Sequence, residues 1–322
     1  MLRRVRALAI DPPGVIHLRE VPLPSRAGEC LIKVLLAGIC GTDLQLLDGY
    51  ADFHGIPGHE FVGRVESADS RTDAAWNGKR VVGEINVGCG MCDWCQIGEK
   101  EHCSRRTVVG IRGRDGAFAE YLSLPAANLH EVPDAIDDRA AVFVEPLAAA
   151  CRILEQIDVD EQSRVAVLGD GRLGLLAAQV LRTRTREVVL LGRHEPKMAV
   201  AQGLGIETRP AGADDPHGFD IVIEATGSAS GLVEAVEIVR PRGIVVMKST
   251  VHGEAPVATW PMVVNEVTLV GSRCGPFATA MALLASGAVR VEPLVAGVFP
   301  LEKHEEAFAA ARGGLKVLFA AG

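Results

Sequence analysis

The stretch Val165-Ala166-Val167-Leu168-Gly169-Asp170-Gly171-Arg172-Leu173-Gly174 decides the fold. Val165 to Leu168 is a short, wholly apolar strand of the kind buried on both faces of a parallel sheet. The glycines after it have G-x-G-x-x-G spacing, and an apolar helix runs from Leu173 to Arg182. That spacing alone is a weak sign, but a strand before it and a helix after it are the context of a dinucleotide-binding turn. On this reading Gly169 makes the tight turn, Gly171 lets the backbone approach a pyrophosphate, and Gly174 lets helix pack on strand. The helix start, with Leu173 in its first turn, offers unpaired N–H groups and partial positive charge to the phosphates. An ordinary glycine-rich turn is the competing reading.

Outward from this turn, apolar runs alternate with helical stretches from 163 to about 273: RVAVLG, EVVLLG, DIVIEATG, GIVVMKST and VTLVGS. Such runs belong to a parallel sheet covered on both faces. The second run ends in Gly192-Arg193-His194. An NAD site usually carries an acid there, about 20 residues past the turn, to accept from the ribose 2′-hydroxyl. A carboxylate repels a 2′-phosphate and a guanidinium pairs with it, so Arg193 favours NADP over NAD. The alternative is a solvated Arg193 with Glu195 as an off-register ribose ligand.

The chain before this region has another texture. Residues 1 to about 130 hold short strand-like runs, such as Cys30 to Leu36 and Arg80 to Glu84, bounded by Gly, Pro and Asp, and suggest a small barrel-like domain. Near Phe143 the pattern changes, and Glu145-Pro146 opens a helix with Pro just inside its start. The tail from 276 carries a helix over 277–286 and a strand over 316–319.

Composition narrows the function. A length of 322 residues suggests two domains, and a net charge of -8 leaves no basic footprint for nucleic acid. The opening MLRRVRALAIDPPG is broken early by Asp11-Pro12-Pro13 and reads as no signal peptide. No stretch reaches the ~20 apolar residues that span a bilayer. A cytoplasmic, reducing setting is therefore expected, with no membrane partner. Of eight cysteines, Cys89, Cys92, Cys95 and Cys103 crowd together as Cys-x2-Cys-x2-Cys-x7-Cys. Four thiolates so spaced can wrap one tetrahedral zinc, a closed and hence structural site. An iron–sulfur cluster and four buried free thiols are the alternatives.

Three further segments complete a pattern: Cys40-Gly41-Thr42-Asp43, Gly58-His59-Glu60 and Glu145-Pro146. Singly, each has an ordinary structural reading. Together with AGICGTDL (37–44), GIPGHEFVGRV (55–65), the four-cysteine lobe, VEPLAAA (144–150), VLGDGRLG (167–174), EATG (224–227) and GSRCGP (271–276), the chain resembles the medium-chain, zinc-dependent alcohol and polyol dehydrogenases over essentially its whole length.

The resemblance implies an α/β protein with a GroES-like, β-rich catalytic domain at 1–147 and 275–322. A doubly wound, parallel-sheet (Rossmann) cofactor domain at 148–274 would be inserted in it, and the structural-zinc lobe would span 88–104. It implies two zincs per subunit. Cys40, His59 and Glu145 would hold the catalytic one, with Glu60 behind it as an alternative ligand or neighbour. Glu at 145 resembles the sorbitol, threonine and glucose dehydrogenase branch, where this residue binds metal directly or through water. Asp43 would fix the His59 tautomer, Thr42 would take the substrate proton, and Thr226 would line the cofactor site. The implied reaction is reversible hydride transfer between a secondary alcohol, polyol or sugar-type substrate and NAD(P), in a homodimer or homotetramer. Two departures stand out. Gln45 replaces a His common in the outer proton relay, and Gly78-Lys79-Arg80-Val81 replaces a common Gly-Asp-Arg-Val. A zinc-free quinone or enone reductase of the same fold, and a non-catalytic zinc-binding protein, are the rival readings.

Overall fold

A computed structural model of the chain describes residues 3–11, 14–68, 74–212, 218–250, 254 and 256–322. They divide into two compact units, 1–145 with 295–322, and 146–294.

The first unit is built on a seven-stranded sheet. Its order is Leu129–Glu131, Arg80–Gly83, Glu60–Ala68, Cys30–Gly38, Lys316–Ala320 and Val295–Pro300, with Tyr121–Leu124 also pairing with Cys30–Gly38. Cys30, Ile32 and Val34 point inward at every second position, the period of a strand with one buried face. They join Phe61, Val65, Phe118 and Phe319 in one core. Phe118, Phe308 and Phe319 meet edge to face at 5.0, 5.8 and 6.0 Å, an arrangement the ring quadrupoles favour. The tail strand Lys316–Ala320 lies antiparallel to Cys30–Gly38 and parallel to Val295–Pro300. It therefore runs beside the residues that lead into Cys40. Strands Cys30–Gly38 and Glu60–Ala68 are antiparallel with Gly38 opposite Glu60, so the end of one and the start of the other share one edge of the sheet.

The second unit holds a six-stranded parallel sheet: Val165–Leu168, Val188–Gly192, Glu207–Pro210, Phe219–Glu224, Val239–Met247 and Thr268–Gly271. Numbered in chain order, its strands lie 3-2-1-4-5-6, the order of a dinucleotide-binding sheet. Val165–Leu168 is buried throughout, as an all-apolar central strand must be. Glu207–Pro210 escapes sequence reading, since ETRP has no apolar run and sits at the sheet edge.

One boundary falls later than the sequence suggests. The second unit continues to 294 instead of ending at 274. Phe277 and Ala280, on the helix Phe277–Ala285, are buried. A Cβ on Gly275 would lie 2.0 Å from the Ala148 carbonyl oxygen, and Arg290 N–H donates to Gln179 Oε1 at 2.8 Å. These contacts tie the segment to 146–181. The tail also forms the helix His304–Gly313 and the strand Val295–Pro300, which short apolar patterning did not announce. Among the described residues, no helix is long and apolar enough to cross a membrane.

Candidate functional site

The shared sheet edge gathers the first cluster. The strand Cys30–Gly38 runs through Ile39 into Cys40, which caps the helix Gly41–Leu47. Asp43, on that helix, is fully buried. Its Oδ2 accepts the Cys40 N–H at 2.7 Å and its Oδ1 accepts the Gly58 N–H at 3.2 Å. The same Oδ1 faces His59 Nδ1 at 3.4 Å, an electrostatic contact that stops short of a hydrogen bond. Gly58 has φ +95, and a Cβ there would strike the Phe118 ring at 2.4 Å, so only glycine can present His59 in this way.

Donor atoms of Cys40, His59 and Glu60 all lie within 4.8 Å of one another. His59 and Glu60 are buried and Cys40 is half-buried. Burial opposes a charge on His59, but Asp43 and Cys40 outweigh it and raise its pKa well above the usual imidazole value. A thiol, an imidazole and a carboxylate are a zinc donor set. The orphaned Nδ1 beside a buried acid matches a ring whose other nitrogen serves a metal. The residues fit a cation. Thr42 is adjacent, with its Oγ1 accepting from Cys40 Sγ at 3.9 Å. Glu145 lies in the first turn of the helix Val144–Cys151 and is not a member of this cluster.

Sequence reasoning missed one participant. Lys316 Nζ forms an ion pair with Glu60 Oε2, and both side chains are 1% exposed. The ammonium also donates to the Ile39 carbonyl at 3.4 Å and lies 5.7 Å from the Phe143 ring centroid. A lysine opening the otherwise apolar run Lys316-Val317-Leu318-Phe319 was the available signal.

The second cluster is the lobe. Ligand atoms of Cys89, Cys92, Cys95 and Cys103 fall within 4.8 Å of one another, and all four thiols are free. Backbone N–H groups of Met91 and Cys92 lower the Cys89 thiol to about 6, and Arg105 Nη2 donates to its sulfur at 3.2 Å. Gly88 leaves room for the group, since a Cβ there would lie 2.7 Å from Cys95 Sγ. Four converging sulfurs, one already biased to thiolate, fit tetrahedral zinc.

The third region is the glycine turn. Gly169 has φ +120, and its Cβ would meet the Ala225 carbonyl oxygen at 2.6 Å; a Cβ on Gly174 would meet the Gly169 carbonyl oxygen at 2.0 Å. Gly171 is different, with nothing within 4 Å of its Cβ position. It caps the helix Arg172–Leu181, so the open space lies at a helix N-terminus, as a bound pyrophosphate requires. Leu173 is the second residue of that helix.

At the end of the neighbouring strand, Asp170 Oδ2 accepts the backbone N–H groups of Arg193 and His194 at 2.7 and 2.6 Å, and its Oδ1 meets His194 Nδ1 at 2.9 Å. Burial opposes the Asp170 charge, yet His194 and the two amides hold its carboxyl below the usual range. Arg193 is exposed and reaches Glu234 Oε2 through Nη2 at 3.1 Å. Thr226 donates from its N–H and Oγ1 to Glu224 Oε1 at 2.8 and 2.6 Å, and Ser249 Oγ donates to the same oxygen at 3.0 Å. The loop after the strand Phe219–Glu224 is thereby fixed.

Comparison with known proteins agrees with this architecture. Residues 26–134 match the alcohol dehydrogenase GroES-like domain, and residues 138–320 match the glucose dehydrogenase C-terminus. The chain is 34% identical to an L-threonine 3-dehydrogenase of Streptomyces avermitilis, over 95% of this chain and 96% of that protein. It is 32% identical to D-arabinitol dehydrogenase 1 of Uromyces fabae, over 89% and 88%. A solved structure of a putative zinc-binding dehydrogenase from Sinorhizobium meliloti bound to NADP superposes with a TM-score of 0.90 at 30% identity, covering 99% of each chain.

Proposed function

Since the chain belongs to the zinc-type medium-chain alcohol and polyol dehydrogenases, we propose that it oxidises a secondary alcohol, polyol or sugar-type hydroxyl with NADP in preference to NAD, and runs the reverse reduction. It is an oxidoreductase that moves a hydride between an alcohol or polyol and NAD(P). The observation that carries the proposal is the meeting of Cys40, His59 and Glu60 at the shared edge of two strands.

Two zincs per subunit complete the reading. Cys89, Cys92, Cys95 and Cys103 would hold the structural one. Cys40 and His59, with Glu60 or Glu145, would hold the other. Zinc there would supply Lewis acidity that eases loss of the substrate hydroxyl proton, and the nicotinamide would supply the hydride acceptor.

The chain's own residues do the rest. Thr42, next to Cys40, receives the hydroxyl proton. Gln45 has no basic atom to pass it on, so the onward route from Thr42 would be water, with a ribose hydroxyl of the cofactor available when it is bound. Asp43 orients the His59 ring by facing its Nδ1. Lys316 holds Glu60 in place through their buried ion pair. Gly171 and the helix start bind the pyrophosphate, Arg193 takes the 2′-phosphate, and Thr226 borders the cofactor from the loop after the strand Phe219–Glu224. The enzyme works as a homodimer or homotetramer in the cytoplasm.

The test is zinc content followed by an alcohol and polyol panel with NADP. Cys40→Ser should lose turnover and one zinc per chain while its circular dichroism stays native. Near-full activity in Cys40→Ser would overturn the assignment, and a complete lack of zinc in active protein would revive the zinc-free reductase.

A further inference from the structure

The cofactor reading places a 2′-phosphate beside Arg193, and the inference here rests on that reading. Arg193 is not idle in the structure. Its Nη2 donates to Glu234 Oε2 at 3.1 Å. Glu234 lies on the helix Ala229–Ile238, and its other oxygen, Oε1, accepts the Gly212 N–H at 2.9 Å. The two partners differ in freedom, because the Glu234 side chain is 15% exposed and that of Arg193 is 63% exposed. Glu234 is thus the fixed member, anchored by a backbone amide, and Arg193 is the mobile one.

The other donors at this strand end are also taken. The Arg193 and His194 amides, which would otherwise form a small anion-accepting pair, both donate to Asp170. A 2′-phosphate arriving here finds no free backbone amide from these two residues and a guanidinium already facing a carboxylate. It has to draw Arg193 from Glu234 while standing close to that fixed negative charge.

We propose that Glu234 is a specificity-determining residue: by holding Arg193 it restrains recognition of the 2′-phosphate, and so keeps NAD usable beside NADP. The effect is local and electrostatic. It acts on the 2′-phosphate alone, leaves the adenine and 5′-phosphate contacts alone, and weakens with added salt. Its size is that of one exposed ion pair given up, an affinity change of about fivefold.

The experiment uses fragments of the cofactor, which separates this question from zinc and turnover. Binding of adenosine 2′,5′-bisphosphate and of 5′-AMP is measured by calorimetry on the full chain, for wild type, Glu234→Gln, Glu234→Ala and Arg193→Ala. Glu234→Gln keeps an oxygen for the Gly212 amide and removes the charge. It should tighten the bisphosphate by about fivefold at low salt and leave AMP unchanged, with the gain shrinking as salt rises. Arg193→Ala should weaken the bisphosphate alone, and adding Glu234→Gln to it should restore less than Glu234→Gln gains with Arg193 present.

If Arg193→Ala weakens the bisphosphate selectively but Glu234→Gln and Glu234→Ala leave the bisphosphate-to-AMP ratio unchanged, the restraint is wrong while the 2′-phosphate reading stands. A ratio that Arg193→Ala does not move removes the 2′-phosphate reading, and the restraint falls with it. A purely structural role for Glu234 would shift both ligands together, which also overturns the proposal.

Discussion

Replacing Lys316 with Met tests how the first cluster is held together. Lys316 and Glu60 are each 1% exposed and form an ion pair. The remaining groups around the ammonium are the Ile39 carbonyl at 3.4 Å and the Phe143 ring at 5.7 Å. Water does not reach Glu60, so the substitution leaves a buried carboxylate without its cation. Breaking a buried pair from one side costs ~3–5 kcal/mol. For a unit of this size that corresponds to a melting temperature lower by on the order of 10 °C. The assay is a thermal melt of wild type and Lys316→Met, both stripped of metal with a chelator, so that any effect of the four-cysteine lobe cancels. Lys316→Arg should recover most of the loss. Adding zinc back should stabilise Lys316→Met more than wild type, because a freed Glu60 gains a cation to face. Superimposable melts of the stripped proteins would refute the reasoning. So would an equal response to zinc, which would mean that Glu60 and the metal do not communicate.

Other expectations are briefer. Cys95→Ser should lose one zinc per chain and make the 88–104 segment sensitive to proteolysis; unchanged zinc content would remove the lobe assignment. His59 has its pKa raised well above the usual imidazole value, so a zinc ion entering the first cluster displaces a proton. Zinc affinity at that site should rise with pH by at least about tenfold per unit below the His59 pKa, since Cys40 must also bind without its thiol proton, read by competition with a chelating dye, and a flat profile would argue against His59 as ligand. Asp170→Ala leaves the Arg193 and His194 amides without their acceptor and should lower stability by about 1–2 kcal/mol in denaturant titration. The Asp170 carboxyl is held below its usual range. Its contribution is therefore present above the ordinary carboxylate pKa and lost as pH falls through the lowered one, so the two proteins should converge in acid.

Much of this molecule was legible because its signals are local. Gly169, Gly171 and Gly174 sit within six positions, and the structure shows a positive φ at the first, open space at the second and a close backbone approach at the third. The four lobe cysteines span fifteen positions and do converge. What stayed hidden lies far apart in the chain or carries no pattern. Lys316 is 256 residues from Glu60, and no periodicity links them. Glu234 looks like an ordinary polar position on an amphipathic helix until Arg193, 41 residues earlier, is seen to reach it. Asp170 fills a position that the glycine fingerprint leaves unspecified, so its service to the neighbouring strand could be found only in three dimensions. Resemblance named Glu145 as a ligand with Glu60 as the alternative, and the geometry gathers Glu60 with Cys40 and His59.

The strand Lys316–Ala320 is an interior strand of its sheet, flanked by Cys30–Gly38 and Val295–Pro300. On a ribosome, Cys30–Gly38 and Glu60–Ala68 emerge early and Tyr121–Leu124 covers the Cys30–Lys33 end of the first, but the strand that covers Leu36–Gly38 follows only after all of 146–294. The second unit is contiguous and can complete itself first. Throughout that interval the nascent sheet keeps an open hydrogen-bonding edge, and the Glu60 carboxylate waits for its counter-ion. Synthesis of this protein therefore has a long window of vulnerability, in which aggregation through that edge competes with closure.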